Sequence, residues 1–201
     1  VGDNDVTPVL GWLDNVMVTE KKVNEIEDAS KRISALVGSV KSYSHMDKAS
    51  DVEAVDIHEG IRSTLTLLNH NIKKNNVQVV ENFDESLPKI PIFVSEMNQV
   101  YTNLIDNAIR YCPSGTQVTI RIDHDSLSII DNGPGIPLQH QEKVFNRFFR
   151  GDSKESGSGL GLSIVKEIVF QHNLKISWDS PYLLDGENYQ SGTKITLFIP
   201  N

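Results

Sequence analysis

The chain has 201 residues, 38% of them hydrophobic and 23% charged, which is enough for one main domain with its own core and a smaller helical part. The formal net charge of −8 and the pI near 5.2 argue against a nucleic-acid partner, because DNA and RNA attract basic surfaces. The single cysteine, Cys112, excludes an internal disulfide and a cysteine-based zinc site, and no apolar run is long enough to cross a bilayer, so we expect a cytoplasmic chain with any membrane link in missing upstream segments.

Residues 1–50 predict a helical dimerisation segment. Apolar residues follow one another at steps of three and four, which is the spacing of a heptad seam, with Ser30 as its break. The seam consists of Val23, Ile26, Ile33, Val37 and Val40. A helix of this kind either packs on its own domain or forms a dimerising hairpin with residues 10–18, and we expect the homodimer. Residues 41–56 lose the helical period and lead into the second part.

Residues 51–201 predict an α+β domain, a two-layer sandwich with helices on one face of a mixed sheet. Strands are expected where short apolar runs alternate, at 54–57, 77–80, 118–122, 127–130, 174–178 and 193–199, with an Asp-Ser turn between the third and fourth. Helices are expected where the apolar period lengthens: one through Ile61, Leu65, Leu68 and Ile72, one over 95–111 and one over 160–172. Ser95 is expected to cap the helix over 95–111.

Two asparagines lie one turn apart on the predicted helix 95–111. Asn103 and Asn107 therefore project along a common face, where an amide oxygen can ligate Mg²⁺. Arg110 and Tyr111, about one turn further on, would reach phosphate oxygens. Paired asparagines on a helix are otherwise most often solvent-facing polar residues, so this pattern depends on the motifs that follow.

A predicted strand runs directly into the sequence Asp131-Asn-Gly133-Pro-Gly135-Ile136-Pro. A buried carboxylate at this point needs a hydrogen-bond donor, and the exocyclic amine of adenine is one. The two glycines, which have no Cβ, would let the backbone approach a flat base. The alternative interpretation is a plain Asp-Asn-Gly turn.

A second glycine-rich sequence opens the predicted helix 160–172. It consists of Gly157, Ser158, Gly159, Leu160, Gly161 and Leu162. Free N–H groups and the positive end of the helix dipole at this point suit a polyphosphate. The sequence lacks the Lys-Ser/Thr of a Walker A loop and the preceding strand of a Rossmann fold, so both of those interpretations fail. Mere flexibility is the remaining alternative.

The residues between the two glycine sequences, 144–158, predict a lid segment. Aromatic residues Phe145, Phe148 and Phe149 would anchor its base. Arg147, Arg150 or Lys154 would approach the γ-phosphate when the segment closes. The alternative is a helix end that is packed by phenylalanines and decorated with charges.

Taken in order, these motifs and Gly192-Thr193 resemble the N, G1, F and G2 boxes and the last strand of the sensor histidine kinases, over roughly residues 54 to 200. The resemblance implies the Bergerat fold shared with gyrase B, Hsp90 and MutL, with ATP and Mg²⁺ as cofactors. It implies Asn107 as the metal ligand, Asp131 as the adenine acceptor and Thr193 as a helper at the base. The other expected nucleotide contacts are Asn103, Arg110, Tyr111, Gly133, Gly135, Ile136, Phe148 and residues 157–162, and Asn103, Asn107, Arg110 and Arg150 form the expected catalytic set.

Asn103 stands where hydrolysing members of the wider superfamily carry a glutamate that activates water. An amide does not accept a proton usefully, so the resemblance favours phosphoryl transfer to a histidine, and onward to the receiver domain of a response regulator, over hydrolysis. The alternatives are a module that binds ATP and gates dimerisation without transfer, and an anti-sigma type serine kinase.

The phosphoacceptor histidine is the part of the pattern that this chain does not match. Thr7-Pro8 resembles the end of the acceptor box of the helical hairpin in these kinases, yet Asp3 stands at the histidine position. The first histidine is His45, which lacks the acidic neighbour and proline of an acceptor. The other five histidines are expected to be surface or cap residues: His58, His70, His124, His140 and His172.

Overall fold

The computed structural model describes residues 11–12, 15–23, 25–26, 30, 52–151, 157–181 and 192–199. The described residues before 52 are helical, and their apolar side chains Trp12, Met17, Val18, Val23 and Ile26 are exposed. The remaining seam residues, Ile33, Val37 and Val40, lie outside the described residues, as do Asp3 and His45. Among the helices that are described, none is long and apolar enough to cross a membrane.

The second part alternates strands and helices and then closes with two strands. In chain order its elements are β1 (Val52–Val55), α1 (Ile57–Lys74), β2 (Gln78–Phe83), β3 (Ile90–Phe93), α2 (Val94–Tyr111), β4 (Gln117–Asp123), β5 (Ser126–Asp131), α3 (Leu138–Gln141), α4 (Gly161–Gln171), β6 (Lys175–Asp179) and β7 (Thr193–Phe198). Five strands form one sheet in the order β2-β4-β5-β7-β6, in which β2 and β4 are parallel and the other neighbours antiparallel. The predicted mixed sheet with helices on one face is therefore confirmed.

The first and third strands differ from expectation. β1 pairs antiparallel with β3 in a separate two-stranded sheet, and β3 was not predicted. The strand expected at 54–57 ends at Val55, because Asp56 caps α1 by accepting the His58 N–H at 2.8 Å. The cap role expected of Ser95 is wrong: β3 runs straight into α2, so Phe93 is the N-cap and makes no side-chain cap bond.

The core lies between the sheet and the helices α1, α2 and α4. Alternate residues of β4 are buried toward it, and so are residues at every second position of β5, which pairs antiparallel with β4, and of β7, which pairs antiparallel with β5. These residues are Val118, Ile120 and Ile122 of β4, Leu127 and Ile129 of β5, and Ile195 and Leu197 of β7. α2 is the central helix of the layer, and its Val100, Leu104 and Ile105 are almost completely buried.

Helices α2 and α4 run antiparallel, and a histidine joins one end of the pair. The His172 ring, at the C-cap of α4, contacts the Glu96 carboxylate in the first turn of α2 and lies 4.4 Å from the Phe93 ring. His172 is thus the cap residue that the sequence predicts. His58, expected to be a surface or cap residue, lies beside the N-cap Asp56 in the first turn of α1 and is buried rather than on the surface. Its Nδ1 lies 2.6 Å from Asp56 Oδ1 and its Nε2 lies 3.1 Å from the Asp84 carbonyl oxygen.

Candidate functional site

The first turn of α4 lies against two asparagines of α2. A Cβ at position 161 would lie 3.2 Å from Asn103 Oδ1 and 3.6 Å from Asn107 Nδ2, so glycine lets the helix end approach both amides. The α4 N-terminus has no side-chain cap bond and no acidic residue in its first turn. The uncapped N–H groups at the start of α4 and the side-chain amides of Asn103 and Asn107 therefore converge, which is the arrangement that the sequence predicted.

Asp131 ends β5 beside the start of β7. Its Oδ1 accepts the Gly133 N–H at 2.9 Å and the Thr193 N–H at 3.2 Å. Burial raises the pKa of Asp131 above its ordinary value, while hydrogen bonds from Gly133, Thr193 and the Cys112 thiol oppose this shift without cancelling it. An ionised carboxylate has about four acceptor positions, so the group still has capacity for a donor from a ligand.

The Cys112 thiol is a further neighbour of this carboxylate that sequence reasoning missed. Burial raises the pKa of Cys112 to about 11, so the group is a neutral thiol that donates to Asp131. Cys112 also forms the C-cap of α2. The helix that carries the asparagines is therefore linked at its end to the residue expected to bind the base.

Ser180 and Gln141 are two further residues that the sequence did not indicate, because each lies outside the motifs. The Ile136 N–H donates to Ser180 Oγ at 2.6 Å, and Ser180 Oγ lies 3.2 Å from Thr193 Oγ1. Gln141 Nε2 donates to the Ile136 carbonyl oxygen at 3.0 Å and to that of Ser180 at 2.5 Å. The sequence holds no signal for these contacts, since Ile136 and Ser180 are 44 residues apart.

The base of the lid segment is held by Phe145 and by a glycine contact. Phe145 is buried, with its ring 4.8 Å from that of Trp178, as expected of an anchor. Phe148 is not an anchor: its side chain is 60% exposed and its φ is 63°. Gly159, with φ of 69°, lies so close that a Cβ there would be 2.7 Å from the Phe148 carbonyl carbon. The backbone at 148 and at 159 therefore touches.

Two of the arginines expected at phosphates are paired with carboxylates. Arg110 Nε lies 2.6 Å from Asp106 Oδ2, and Arg147 Nη2 lies 2.6 Å from Glu167 Oε2 on α4. Arg150 is exposed, and Lys154 lies outside the described residues. Tyr111 is exposed at the last position of α2.

The remaining glycine-sequence residues shape the entry to α4. Ser158 Oγ accepts the Leu160 N–H at 3.4 Å, while Leu160 is buried and Leu162 is partly buried against the core. Across residues 52–151, 157–181 and 192–199, no cluster of three or more His, Cys, Asp or Glu side chains is arranged to hold a metal ion.

Comparison with known proteins gives a family for most of this region. Residues 94–201, more than half of the chain, match the family described as histidine kinase-, DNA gyrase B- and HSP90-like ATPase. The adaptive-response sensory kinase SasA of Rippkaea orientalis is 34% identical over 170 residues, which are 81% of this chain and 41% of SasA. The sensor histidine kinase WalK of Bacillus subtilis is 37% identical over 138 residues, which are 64% of this chain and 21% of WalK. The chain thus spans less than half the length of these curated relatives.

Solved structures with the same architecture include a mycobacterial sensor histidine kinase, MprB. It is 32% identical, with a TM-score of 0.61, and the match covers 74% of this chain and 97% of the MprB chain. Histidine kinase ThkA, solved in complex with response regulator protein TrrA, is 24% identical with a TM-score of 0.67, covering 98% of this chain and 57% of that one. The ThkA likeness concerns the fold.

The contact between Gly159 and Phe148 gives the first prediction. Gly159→Ala should lower the free energy of unfolding by about 1–3 kcal/mol, because φ is positive and the added Cβ meets backbone. Gly157→Ala is the matched control, since a Cβ there meets nothing within 4 Å, and its effect should stay within about 0.5 kcal/mol. Urea denaturation followed by circular dichroism measures both, and equal effects would contradict the described contact.

Proposed function

The chain belongs to the histidine kinase-, DNA gyrase B- and HSP90-like ATPase family, and from this premise we propose that it is the catalytic and ATP-binding region of a two-component sensor histidine kinase. The observation that carries the proposal is the convergence of three features: the desolvated Asp131 carboxylate, the paired amides Asn103 and Asn107, and the uncapped end of α4 at Gly161. The division into a helical part, 1–50, and an ATP-binding domain, 51–201, is part of the same proposal.

In this proposal Asp131 accepts a hydrogen bond from the exocyclic amine of adenine. The support is its burial, which raises its pKa, and the use of Oδ1 for two backbone donors. A donor from the base would offset part of the desolvation cost of the carboxylate. Thr193 would help at the same base, with Gly133, Gly135 and Ile136 forming the backbone beside it.

The phosphates are proposed to lie at the start of α4, where Gly157, Ser158, Gly159, Leu160, Gly161 and Leu162 supply backbone. Asn107 would hold Mg²⁺, and its amide oxygen together with phosphate oxygens suits this hard cation. When bound, the ion neutralises developing charge on the phosphate oxygens. Arg110, Tyr111, Arg150 and Phe148 are proposed as further contacts to the nucleotide, and Arg110 would act from the orientation that Asp106 gives it.

Asn103 is the residue that favours transfer over hydrolysis. Its Oδ1 faces Gly161, at the position proposed for the phosphates. A neutral amide there orients groups by hydrogen bonds but takes no proton from water, so attack by water gains no general base from this residue. The γ-phosphoryl group is therefore proposed to pass to a better nucleophile, a histidine side chain.

The partners follow from the same proposal. We propose a homodimer through the N-terminal helices, supported by the exposed apolar side chains Trp12, Met17, Val23 and Ile26. A response regulator receiver domain is proposed as the onward acceptor, which is the class of partner present in the ThkA complex. The proposed location is the cytoplasm.

Two other functions compete with this proposal on the sequence. A module that binds ATP and gates dimerisation without transfer is favoured by Asp3 at the acceptor position. An anti-sigma type serine kinase is disfavoured by the helical residues that precede the domain. The matching relatives SasA and WalK are sensory and histidine kinases, which supports the histidine kinase over both.

The adenine contact is tested by Asp131→Asn. ATP affinity should fall about tenfold or more, because the amide can turn a donor toward the donor of the base and a charge-assisted bond of about 1.5–3 kcal/mol is lost. Asp123→Asn, at the exposed end of β4, is the matched control. Calorimetric titration measures both, and unchanged ATP affinity in the Asp131 variant would remove this residue from the site.

Asp131→Asn, which should weaken ATP binding, should not lower the free energy of unfolding of the nucleotide-free protein at pH 7. Because the folded state raises the pKa of Asp131, the stabilisation linked to its proton is present below the unfolded pKa and is lost as pH rises through the folded pKa. The amide that replaces the carboxyl group in Asp131→Asn does not titrate. At pH 7 the variant should therefore unfold at a denaturant concentration equal to or above that of the wild type, and its advantage should shrink in acid. Urea denaturation at the two pH values measures this, and a variant that is less stable than the wild type at pH 7 would contradict the raised pKa.

The metal contact is tested by Asn107→Ala. Removing the amide oxygen should weaken binding of ATP with Mg²⁺ more than binding of ADP without metal, because only the former uses the ligand. Thr102→Ala is the control on the same helix, since its hydroxyl donates to the Asn98 carbonyl oxygen at 2.8 Å within α2. Equal losses for the two nucleotides would place the metal elsewhere.

The transfer step is tested with radiolabelled ATP and Mg²⁺. This chain should bind nucleotide but label itself poorly, because Asp3 replaces the expected acceptor and Asn103 provides no base. Label should appear on an added chain that carries an acceptor histidine and a disabled ATP site, and it should be acid-labile and base-stable. Self-labelling at His45 would contradict the acceptor assignment, and acid-stable label would indicate a serine or threonine kinase.

A further inference from the structure

Ser180 contacts both the loop that follows Asp131 and the start of β7, at the end of the site proposed for the adenine base. Its Oγ accepts the Ile136 N–H at 2.6 Å and lies 3.3 Å from the Gly192 carbonyl oxygen and 3.2 Å from Thr193 Oγ1. A serine hydroxyl has one proton and two acceptor positions. The Ile136 bond takes one acceptor position, and the proton serves either Gly192 or Thr193, so these protein groups use most of the hydroxyl's capacity.

Gln141 bonds both Ile136 and Ser180, and it lies on a different element from either of them. Its Nε2, at the end of the short helix α3, donates to the carbonyl oxygens of Ile136 and Ser180 at 3.0 and 2.5 Å. Ile136 is thus bonded through its N–H by Ser180 and through its C=O by Gln141. Two side chains that are 39 residues apart fix one residue of the loop that follows Asp131.

A glycine makes this arrangement possible. Gly135 has φ of 74°, and a Cβ there would lie 3.1 Å from Ser180 Oγ and 3.3 Å from the Gly192 carbonyl oxygen. A side chain at 135 would be strained by the positive φ and would crowd Ser180 Oγ and the Gly192 carbonyl oxygen. The glycine at 135 therefore lets the loop after Asp131 pack closely against Ser180 and Gly192.

The contacts of Ser180 are connected to Asp131 through Thr193. The Thr193 N–H donates to Asp131 Oδ1, while the Thr193 hydroxyl lies beside Ser180 Oγ. A shift of Ser180 would move the start of β7 and the loop after Asp131 relative to each other. These are the two pieces of backbone that flank the carboxylate.

We propose that Ser180 and Gln141 form a clasp that positions the base-binding half of the nucleotide site, without contacting the phosphates. This inference rests on the proposed function, which puts the base at Asp131 and the phosphates at Gly161. Both residues are positioning residues, since they act through Ile136 and Thr193.

The test separates the base from the phosphates with two probes. ATP uses both halves of the site, whereas inorganic tripolyphosphate with Mg²⁺ uses only the half near Gly161. Ser180→Ala and Gln141→Leu should each weaken ATP binding about tenfold and leave tripolyphosphate binding within about twofold of the wild type. Ser177→Ala on β6 and Gln139→Leu on α3 are the matched controls, and both should leave both probes unchanged.

The outcomes distinguish the clasp from a general role in folding and from the proposed function itself. Equal weakening of ATP and tripolyphosphate, or unchanged ATP binding in both variants, would overturn the clasp. Gln141→Leu keeps the test open if Ser180→Ala does not fold, because it leaves the Ser180 side chain in place. Asp131→Asn is the reference: if it retains full ATP affinity, the assignment of the base site fails rather than the clasp.

Discussion

The absence of a side chain at Gly161 is the constraint on which the candidate site depends. A Cβ at position 161 would lie 3.2 Å from Asn103 Oδ1 and 3.6 Å from Asn107 Nδ2, so a side chain there would crowd both asparagines and fill the space between them and the helix end. The antiparallel packing of the two helices is fixed at the opposite end by His172 against Glu96 and Phe93. Held at both ends, the pair brings the side-chain amides of both asparagines and the backbone N–H groups of the α4 end to one volume, which neither helix would do alone.

The part of the site proposed for the adenine base depends on the desolvation of the Asp131 carboxylate. Asp131 is half-buried, and its two backbone donors and the Cys112 thiol offset only part of the desolvation of its carboxylate. The carboxylate stays in place because β5 and β7 pair directly, with Asp131 opposite Thr193, and because Cys112 ends α2 beside it. α2 therefore connects the two halves: its middle faces α4 and its end meets the carboxylate. In the proposed function, the amine of adenine offsets part of the desolvation cost of this carboxylate.

The sequence predicted those parts of the structure that depend on local spacing. The apolar period located α1, α2, α4 and the strands of the main sheet, and the two glycine sequences located the loop after Asp131 and the start of α4. It missed β3, since a four-residue apolar run that passes directly into a helix has no turn signal before the helix. It misassigned Ser95 for the same reason. The Ser180 and Gln141 contacts were invisible because they depend on how distant segments meet, and no local pattern encodes that.

The backbone contact between Phe148 and Gly159 determines how the stability of the domain depends on the number of residues between them. A chain segment whose two ends are already in contact closes a ring, and the entropy of closing a ring grows only with the logarithm of its length. Doubling the number of residues between these two positions would cost about 0.6 kcal/mol in the flexible-chain limit. Lengthening the chain between Phe148 and Gly159 should therefore cost the folded domain little, provided that Arg150, Gly157 and Ser158, which the proposed function uses, keep their places.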